Sequence, residues 1–146
     1  MLSIDTDILL YAQNEDCPEH PPARAFIEEC GSSDDVAICD LVLVELYQLL
    51  RNRAVLNFPL NAADAAAVCL QWRENPRWAV IENAPIMDKV WVIAKRHDIA
   101  RRAIFDARIA LTLRYHGITE FATRNTRDFE DYGFTHLINP VDTTSH

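Results

Sequence analysis

The sequence lacks any apolar run that approaches the roughly 20 residues needed to span a bilayer. It also lacks an N-terminal charged region followed by a long apolar signal segment. We therefore expect a cytoplasmic protein that does not contact membrane. Its 146 residues, 49% of them hydrophobic, predict one domain over residues 1–140 with a single core, followed by a C-terminal tail over 141–146.

Paired motifs for binding a soft metal are absent as well. The four cysteines are widely spaced without a C-x-x-C pair, and the five histidines form no H-x-x-x-H pattern. This argues against a zinc site and against a disulfide scaffold. Cys30, Cys39 and Cys69 lie in apolar segments, where a reduced thiol behaves as a small core residue. We expect all four cysteines to be structural.

Glycine is scarce, and Gly31, Gly117 and Gly133 all fall at borders between predicted elements. Short apolar strands alternate with longer helical patterns. This alternation predicts an α/β fold, a three-layer α/β/α sandwich around a short parallel sheet. In such folds ligands bind beyond the carboxyl ends of the strands. The predicted strands are LSID, VAIC, WAVI, EFAT and HLI.

Helices are predicted between these strands. The first covers about residues 7–13, and the loop NEDCPEHPP separates it from ARAFIEEC. Asp40 is predicted to cap LVLVELYQLLRN, and Asn61 to cap AADAAAVCLQW. Two further helices are PIMDKVWVIAKRHD and RRAIFDARIALTLRYH, and NTRDFEDY is a short helical turn.

Positive charge is also in short supply, because the formal net charge is −8. Its distribution is uneven. Residues 89–127 contain nine basic and three acidic residues, whereas the remainder contains five basic and nineteen acidic ones. Such an uneven charge distribution is typical of a protein that binds a polyanion on one basic face. The alternative is that these side chains are the solvated sides of two helices.

Two aspartates stand in apolar surroundings. Asp5 lies at the end of the first predicted strand, and an unpaired carboxylate there needs either solvent or a nearby cation. Asp106, in RRAIFDARIALTLRYHG, shares its predicted helix face with Ile109, Ala110 and Leu113. Acidic side chains are almost never fully buried unless they are paired, and no basic residue occupies the matching positions.

Two further carboxylates belong to the same pattern. Glu45 has apolar same-face neighbours, although a border position that reaches water would also explain it. Asp128 lies in the first turn of a short predicted helix, where ordinary N-terminal stabilisation is the alternative. A separate explanation for each of the four carboxylates accounts poorly for their shared position, because all four are predicted to lie in the crevice beyond the carboxyl ends of the strands.

Clustered carboxylates repel one another unless a cation is present. Mg²⁺ binds through one or two carboxylates, several waters and substrate phosphates. Such a site activates water and stabilises charge during in-line displacement at phosphorus. Thr123 and Asn125 are placed to orient the carboxylates or a water through hydrogen bonds. The pattern favours metal-dependent phosphodiester hydrolysis.

The order of these residues resembles a PIN domain, and more closely the VapC ribonuclease toxins of bacterial toxin–antitoxin pairs. The resemblance implies an endoribonuclease that depends on Mg²⁺, or on Mn²⁺ as a substitute, with Asp5 and Asp106 as the strongest metal ligands. Glu45 and Asp128 complete the implied catalytic pocket. The matching stretches, between Ile4 and about Pro140, are DTDILLYA, HPPARAFIE, LVLVELYQLLRN, FDARIALTLRYHG, ATRNTRDFEDYG and INP.

The family commonly has asparagine where this chain has Asp7, so we interpret Asp7 as a supporting residue that binds metal indirectly or caps the first helix. The resemblance also implies a homodimer and a small cognate antitoxin that occludes the site, often by placing an arginine in the acidic pocket. The basic segment then becomes the RNA path, unless it serves the dimer or antitoxin contact. The predicted RNA-binding residues are Arg101, Arg102, Arg124 and Arg127.

Two other functions fit parts of the sequence. Asp5-Thr6-Asp7 matches the D-x-D of aspartyl-phosphate phosphatases, but neither Lys89 nor Lys95 follows a strand as that chemistry requires. A PIN-like scaffold that binds RNA or a partner without cutting is the other alternative. The presence of all four expected acidic positions counts against lost catalysis.

Overall fold

The structure is a computed structural model that describes residues 1–142. The predicted tail over 141–146 therefore lies largely outside the described residues, and the domain boundary at residue 140 stays a prediction. None of the helices within residues 1–142 is both long and apolar enough to cross a membrane.

A five-stranded parallel sheet forms the centre of the described chain. The strands are β1 (Leu2–Ile4), β2 (Val36–Cys39), β3 (Ala79–Ile81), β4 (Glu120–Ala122) and β5 (His136–Ile138), in the order β3-β2-β1-β4-β5. Every neighbouring pair is parallel. β2 is buried along its whole length, as expected for an interior strand of a parallel sheet.

Helices flank this sheet, which confirms the predicted α/β class. The α-helices are α1 (Thr6–Gln13), α2 (His20–Gly31), α3 (Asp40–Leu50), α4 (Ala62–Arg73), α5 (Met87–Ala94) and α6 (Ala103–Tyr115). A 3₁₀ helix covers Thr126–Tyr132. The fully buried core side chains include Ile4, Ile38, Leu113, Phe121 and Phe129, which belong to both the sheet and the helices around it.

The predicted cap at Asp40 is wrong. Cys39 is the N-cap residue of α3, and Asp40 is the first residue inside the helix. The Asp40 carboxylate instead accepts hydrogen bonds from Arg73 Nε at 2.8 Å and Nη2 at 3.0 Å. This bidentate guanidinium–carboxylate pair joins α3 to α4. The predicted cap at Asn61 is confirmed, because its side chain accepts from the Asp64 N–H at 2.8 Å.

Some helix ends also differ from prediction. α2 begins at His20 and so includes prolines that were assigned to the loop, because proline is tolerated in a first helical turn. α5 ends at Ala94 and α6 begins only at Ala103. Residues 95–98 are polar and exposed, so no apolar face holds them against the core. Arg101 and Arg102 consequently lie in the turn before α6, not inside that helix.

The neighbouring ends of β1 and β4 determine where the acidic residues emerge. Ile4 is in register with Ala122, and the Asp5 N–H donates to the Ala122 carbonyl at 2.8 Å. The Thr123 N–H in turn donates to the Ile138 carbonyl of β5 at 2.8 Å. Asp5 and Thr123 therefore leave the carboxyl edge of the sheet side by side.

Candidate active site

Asp5 is the most tightly held carboxylate at this edge. It caps α1, and its Oδ1 accepts from the Thr6 N–H at 2.8 Å. Its Oδ2 accepts from the Thr123 hydroxyl at 2.7 Å. Only 8% of the residue is exposed. Burial, followed by the charges of Asp7 and Glu45, raises the pKa of Asp5 well above its usual value, although both hydrogen bonds oppose that shift.

Asp7 lies in the first turn of α1 and reaches back to the chain after β4. Its Oδ2 accepts from the Arg124 N–H at 3.1 Å. Its Oδ1 is buried and has no hydrogen-bond partner within residues 1–142. Burial raises the pKa of Asp7 to about 6 against the opposing effect of the Arg124 N–H. Asp5, not Asp7, supplies the helix cap, and Oδ1 of Asp7 makes no hydrogen bond of ordinary geometry within residues 1–142.

Glu45 and Asp106 approach from two helices, α3 and α6. Both side chains are half-buried, and burial raises both pKa values, that of Asp106 to about 6. The charges of Asp128, Glu45 and Asp7 raise the pKa of Asp106 further. Carboxylates that lie far apart in sequence therefore raise one another's pKa in the folded chain.

Thr6 and Arg108 favour the charged form of Glu45. Both lower the pKa of Glu45 against the larger effect of burial. The Thr6 hydroxyl is nevertheless buried without a hydrogen bond of ordinary geometry to any residue in the described part of the chain. We conclude that this hydroxyl lies near Glu45 without bonding to it in the present arrangement.

Thr123 forms the hydrogen bond to Asp5 that the sequence analysis expected, and its supporting role in catalysis stays a prediction. Besides donating to Asp5, its hydroxyl oxygen accepts from the Asn125 N–H at 3.2 Å. Asn125 therefore contributes through its backbone to the same hydrogen-bond chain. Asp128 is exposed on the 3₁₀ helix, and its charge raises the pKa of Asp106.

The predicted RNA-binding arginines divide into two groups. Arg101, Arg102 and Arg127 are exposed. Arg124 is exposed as well, but its side chain also contacts the protein, because its Nη1 donates to the Tyr11 hydroxyl at 2.6 Å and pairs with Glu19 at 3.5 Å. Neither Tyr11 nor Glu19 is among the functional residues predicted from the sequence. Tyr11 follows Asp7 by one helical turn, a spacing that signals contact, whereas nothing in the loop around Glu19 does.

A hard divalent cation suits the chemistry of this donor set. Every donor is an oxygen, the pKa values of Asp5, Asp7 and Asp106 are raised, and one buried oxygen of Asp7 has no hydrogen-bond partner within residues 1–142. Mg²⁺ prefers such ligands and neutralises their mutual repulsion. Within residues 1–142, no three acidic, histidine or cysteine side chains are arranged to hold a metal ion as they stand. Metal ligation by these residues therefore stays a prediction.

The acidic site is identified by its charged side chains, because it does not coincide with the clefts described next. Three clefts on the described surface are lined by other residues, the first of them around Gln13, Leu50 and Phe58. None of the five carboxylates lines any of these clefts.

Comparison with known proteins identifies relatives along nearly the whole chain. The PIN domain family matches residues 2–135. Ribonuclease VapC24 of Mycobacterium tuberculosis is 60% identical over 141 residues, which cover 97% of both chains. VapC ribonuclease Mb2897 of Mycobacterium bovis is 32% identical over 66 residues, which cover 44% of this chain and 45% of the relative.

Solved structures show the same fold at lower identity. VapC20 of Mycobacterium tuberculosis, described as a sarcin-ricin loop cleaving toxin, has a TM-score of 0.69 at 21% identity. That match covers 92% of this chain and 97% of VapC20. FitAB bound to a DNA fragment has a TM-score of 0.62 at 21% identity and covers 100% of this chain and 99% of that one.

Proposed function

The chain belongs to the PIN domain family as a VapC-type member, and from that membership we propose that it is a Mg²⁺-dependent endoribonuclease and the toxin of a toxin–antitoxin pair. One observation carries the proposal. Asp5 and Asp7 follow the carboxyl edge of a parallel sheet, and burial, followed by the charges of Asp128, Glu45 and Asp7, raises the pKa of Asp106 to about 6. Such a cluster is costly for a protein that does not bind a cation there.

Asp5 and Asp106 would hold the ion, with Glu45 and Asp128 completing the pocket and Mn²⁺ able to replace Mg²⁺. When bound, the ion supplies Lewis acidity and an activated water at phosphorus. Thr123 and the Thr6 N–H keep both oxygens of Asp5 in fixed directions. The unpartnered Oδ1 of Asp7 is placed to accept a hydrogen bond from water and so to orient it.

The phosphatase alternative is not favoured. Asp5 would have to act as a nucleophile, yet each of its oxygens already accepts a hydrogen bond from the protein. Such a mechanism also needs a lysine beside the nucleophile. Lys89 and Lys95 are exposed at α5, and neither contributes to the raised pKa values of the acidic site.

RNA cleavage by the purified protein tests the proposed function. A mixture of structured RNAs should be cut in the presence of Mg²⁺ or Mn²⁺. Excess EDTA should stop the reaction, and added metal should restore it. Cutting that persists in EDTA would refute the metal-dependent reaction. Intact RNA under every condition would favour the binding-scaffold alternative.

The proposed partners are RNA and a small antitoxin. An acidic pocket with raised pKa values suits the guanidinium of an antitoxin arginine, because a cation relieves the same repulsion that a metal ion would. VapC20 is described as a toxin that cleaves the sarcin-ricin loop. For the present chain we propose a structured RNA substrate of the same general class.

A homodimer is also proposed, on an apolar face of α5 and α6 formed by Met87, Trp91, Val92 and Phe105. These side chains are 41–61% exposed, and the two helices pack against each other. Trp91→Glu should convert a dimer to a monomer in sedimentation experiments, because it places a charge in the contact. Phe58→Glu, at an aromatic side chain that is 82% exposed elsewhere, should not. A monomeric parent protein, or an equal effect of both substitutions, would contradict the proposal.

A further inference from the structure

The segment 123–125 holds two carboxylates of the acidic site at once. The Thr123 hydroxyl donates to Asp5 Oδ2 at 2.7 Å, and the Arg124 N–H donates to Asp7 Oδ2 at 3.1 Å. Asp5 and Asp7 lie on opposite sides of Thr6 in the chain. The position of this segment therefore sets how the two carboxylates are directed relative to each other.

The side chain of Arg124 anchors that segment to α1. Its Nη1 donates to the Tyr11 hydroxyl at 2.6 Å, and its guanidinium carbon lies 5.7 Å from the centre of the Tyr11 ring. Glu19, whose side chain is only 20% exposed, pairs with the same Nη1 at 3.5 Å. Tyr11 and Asp7 lie one turn apart on α1, so the backbone and the side chain of Arg124 are both attached to one helix.

We infer that Tyr11 and Glu19 are positioning residues: through Arg124 they clamp the segment 123–125 so that Asp5 and Asp7 are directed correctly for the proposed metal site. The inference rests on the proposed function. It changes the role predicted for Arg124 from RNA contact to positioning. Glu19 already balances the charge of its guanidinium, and a phosphate contact would have to compete with a charge-assisted pair and a short hydrogen bond.

The chain contains a matched control for this clamp. Arg51 Nη1 donates to the Tyr47 hydroxyl at 3.1 Å, and its guanidinium carbon lies 5.6 Å from that ring centre. This second tyrosine–arginine pair lies at the end of α3 and holds no carboxylate of the acidic site. Tyr11→Phe and Tyr47→Phe therefore remove the same hydroxyl from the same kind of contact, and each retains its ring.

Two measurements test the clamp. The first is the affinity for Mn²⁺ alone, from the free Mn²⁺ signal in electron paramagnetic resonance. The second is the separation of kcat from KM for RNA cleavage. Partners that orient metal ligands contribute about 10- to 100-fold to affinity or activity. We expect Tyr11→Phe to weaken Mn²⁺ binding and lower kcat about 10-fold, with KM within about twofold. Tyr47→Phe should leave all three unchanged.

A double variant separates positioning from RNA contact. If Arg124 acts only through the clamp, Tyr11→Phe should add nothing to the loss caused by Arg124→Met, because both remove one unit. Additive losses, or an Arg124→Met effect on KM alone, would overturn the inference. So would equal Mn²⁺ affinities for Tyr11→Phe and the parent protein, or a parent that binds no Mn²⁺. A parent that binds Mn²⁺ but cuts no RNA would refute the proposed function, while the Mn²⁺ affinities still decide the clamp.

Discussion

Replacing Asp106 by asparagine should lower RNA cleavage at least about 100-fold and, in the same protein, raise the melting temperature of the metal-free chain. The loss follows because Asn supplies a neutral ligand where the proposed site needs a carboxylate. The gain follows because the charge of Asp106 is opposed by burial and by the charges of Asp128, Glu45 and Asp7. Removing a residue that serves function at the expense of stability commonly has this double effect.

The gain in stability of Asp106→Asn over the parent protein should increase as the pH rises. The pKa of Asp106 is about 6 in the folded chain, above the usual 3.8, so the folded state binds the proton more tightly. The parent protein therefore loses stability as the pH rises from about 4 through 6, whereas an asparagine does not titrate. After discounting for partial exposure, the difference should reach about 1–2 kcal/mol above pH 6, or about 3–6 °C in melting temperature.

Thermal melts in EDTA at pH 4 and pH 7.5 measure this difference. Asp106→Asn and the parent should melt alike at pH 4 and separate at pH 7.5. Asp64→Asn is the matched control, because Asp64 is an exposed aspartate in the first turn of α4 and lies outside the acidic cluster. Equal melting temperatures for Asp106→Asn and the parent at pH 7.5 would contradict the electrostatic account of the site. Retained cleavage by Asp106→Asn would contradict its catalytic role.

Removing three exposed arginines together should weaken RNA binding strongly. Replacement of Arg101, Arg102 and Arg127 by glutamine should raise KM at least about 10-fold at low salt and leave kcat within a few-fold. Each phosphate contact contributes about 0.7 for a single strand, and about 0.9 for duplex DNA, to the slope of log affinity against log salt, so the slope should fall by about 2–3. Arg124 is left out of this set because its guanidinium is bound to Tyr11 and Glu19.

A control triple with the same change of net charge distinguishes local contacts from overall electrostatics. Arg51, Arg53 and Arg77 are exposed and lie outside the basic segment 89–127. Replacing these by glutamine should leave both KM and its salt slope close to the values of the parent. If the two triple variants change KM and its salt slope equally, RNA binding depends on the net charge of the whole protein, −8 in the parent, and not on a defined set of arginine contacts.

The acidic pocket could be predicted because its members violate local patterns. Asp106 stands among Ala107, Ile109 and Ala110, all buried, where an unpaired charge is costly. Asp5 ends a strand, and the carboxyl edge of a parallel sheet is where ligands bind. Helical periodicity and strand order therefore predict where acidic side chains stand in apolar surroundings, and their role in catalysis stays a prediction.

Other features depend on contacts that no local pattern carries. The Asp40–Arg73 pair joins residues 33 positions apart, and it overrides the capping role that local propensity assigned to Asp40. Arg124 and Tyr11 are separated by 113 positions, and they meet only because β1 and β4 are neighbours. Side-chain pairs of this kind follow from sheet order and from the rotamers chosen in the folded chain, so the sequence leaves them open.

The most direct test of the central claim is a parallel titration of Mn²⁺ binding and RNA cleavage. Free Mn²⁺ is measured by electron paramagnetic resonance while the cleavage rate is followed at the same metal concentrations, for the parent protein and for Asp5→Asn. If Asp5, Glu45, Asp106 and Asp128 form one metal-dependent nuclease site, cleavage in the parent will rise in proportion to occupancy, and Asp5→Asn will lose both. Retained Mn²⁺ binding by Asp5→Asn, or cleavage that does not follow occupancy, would contradict the account.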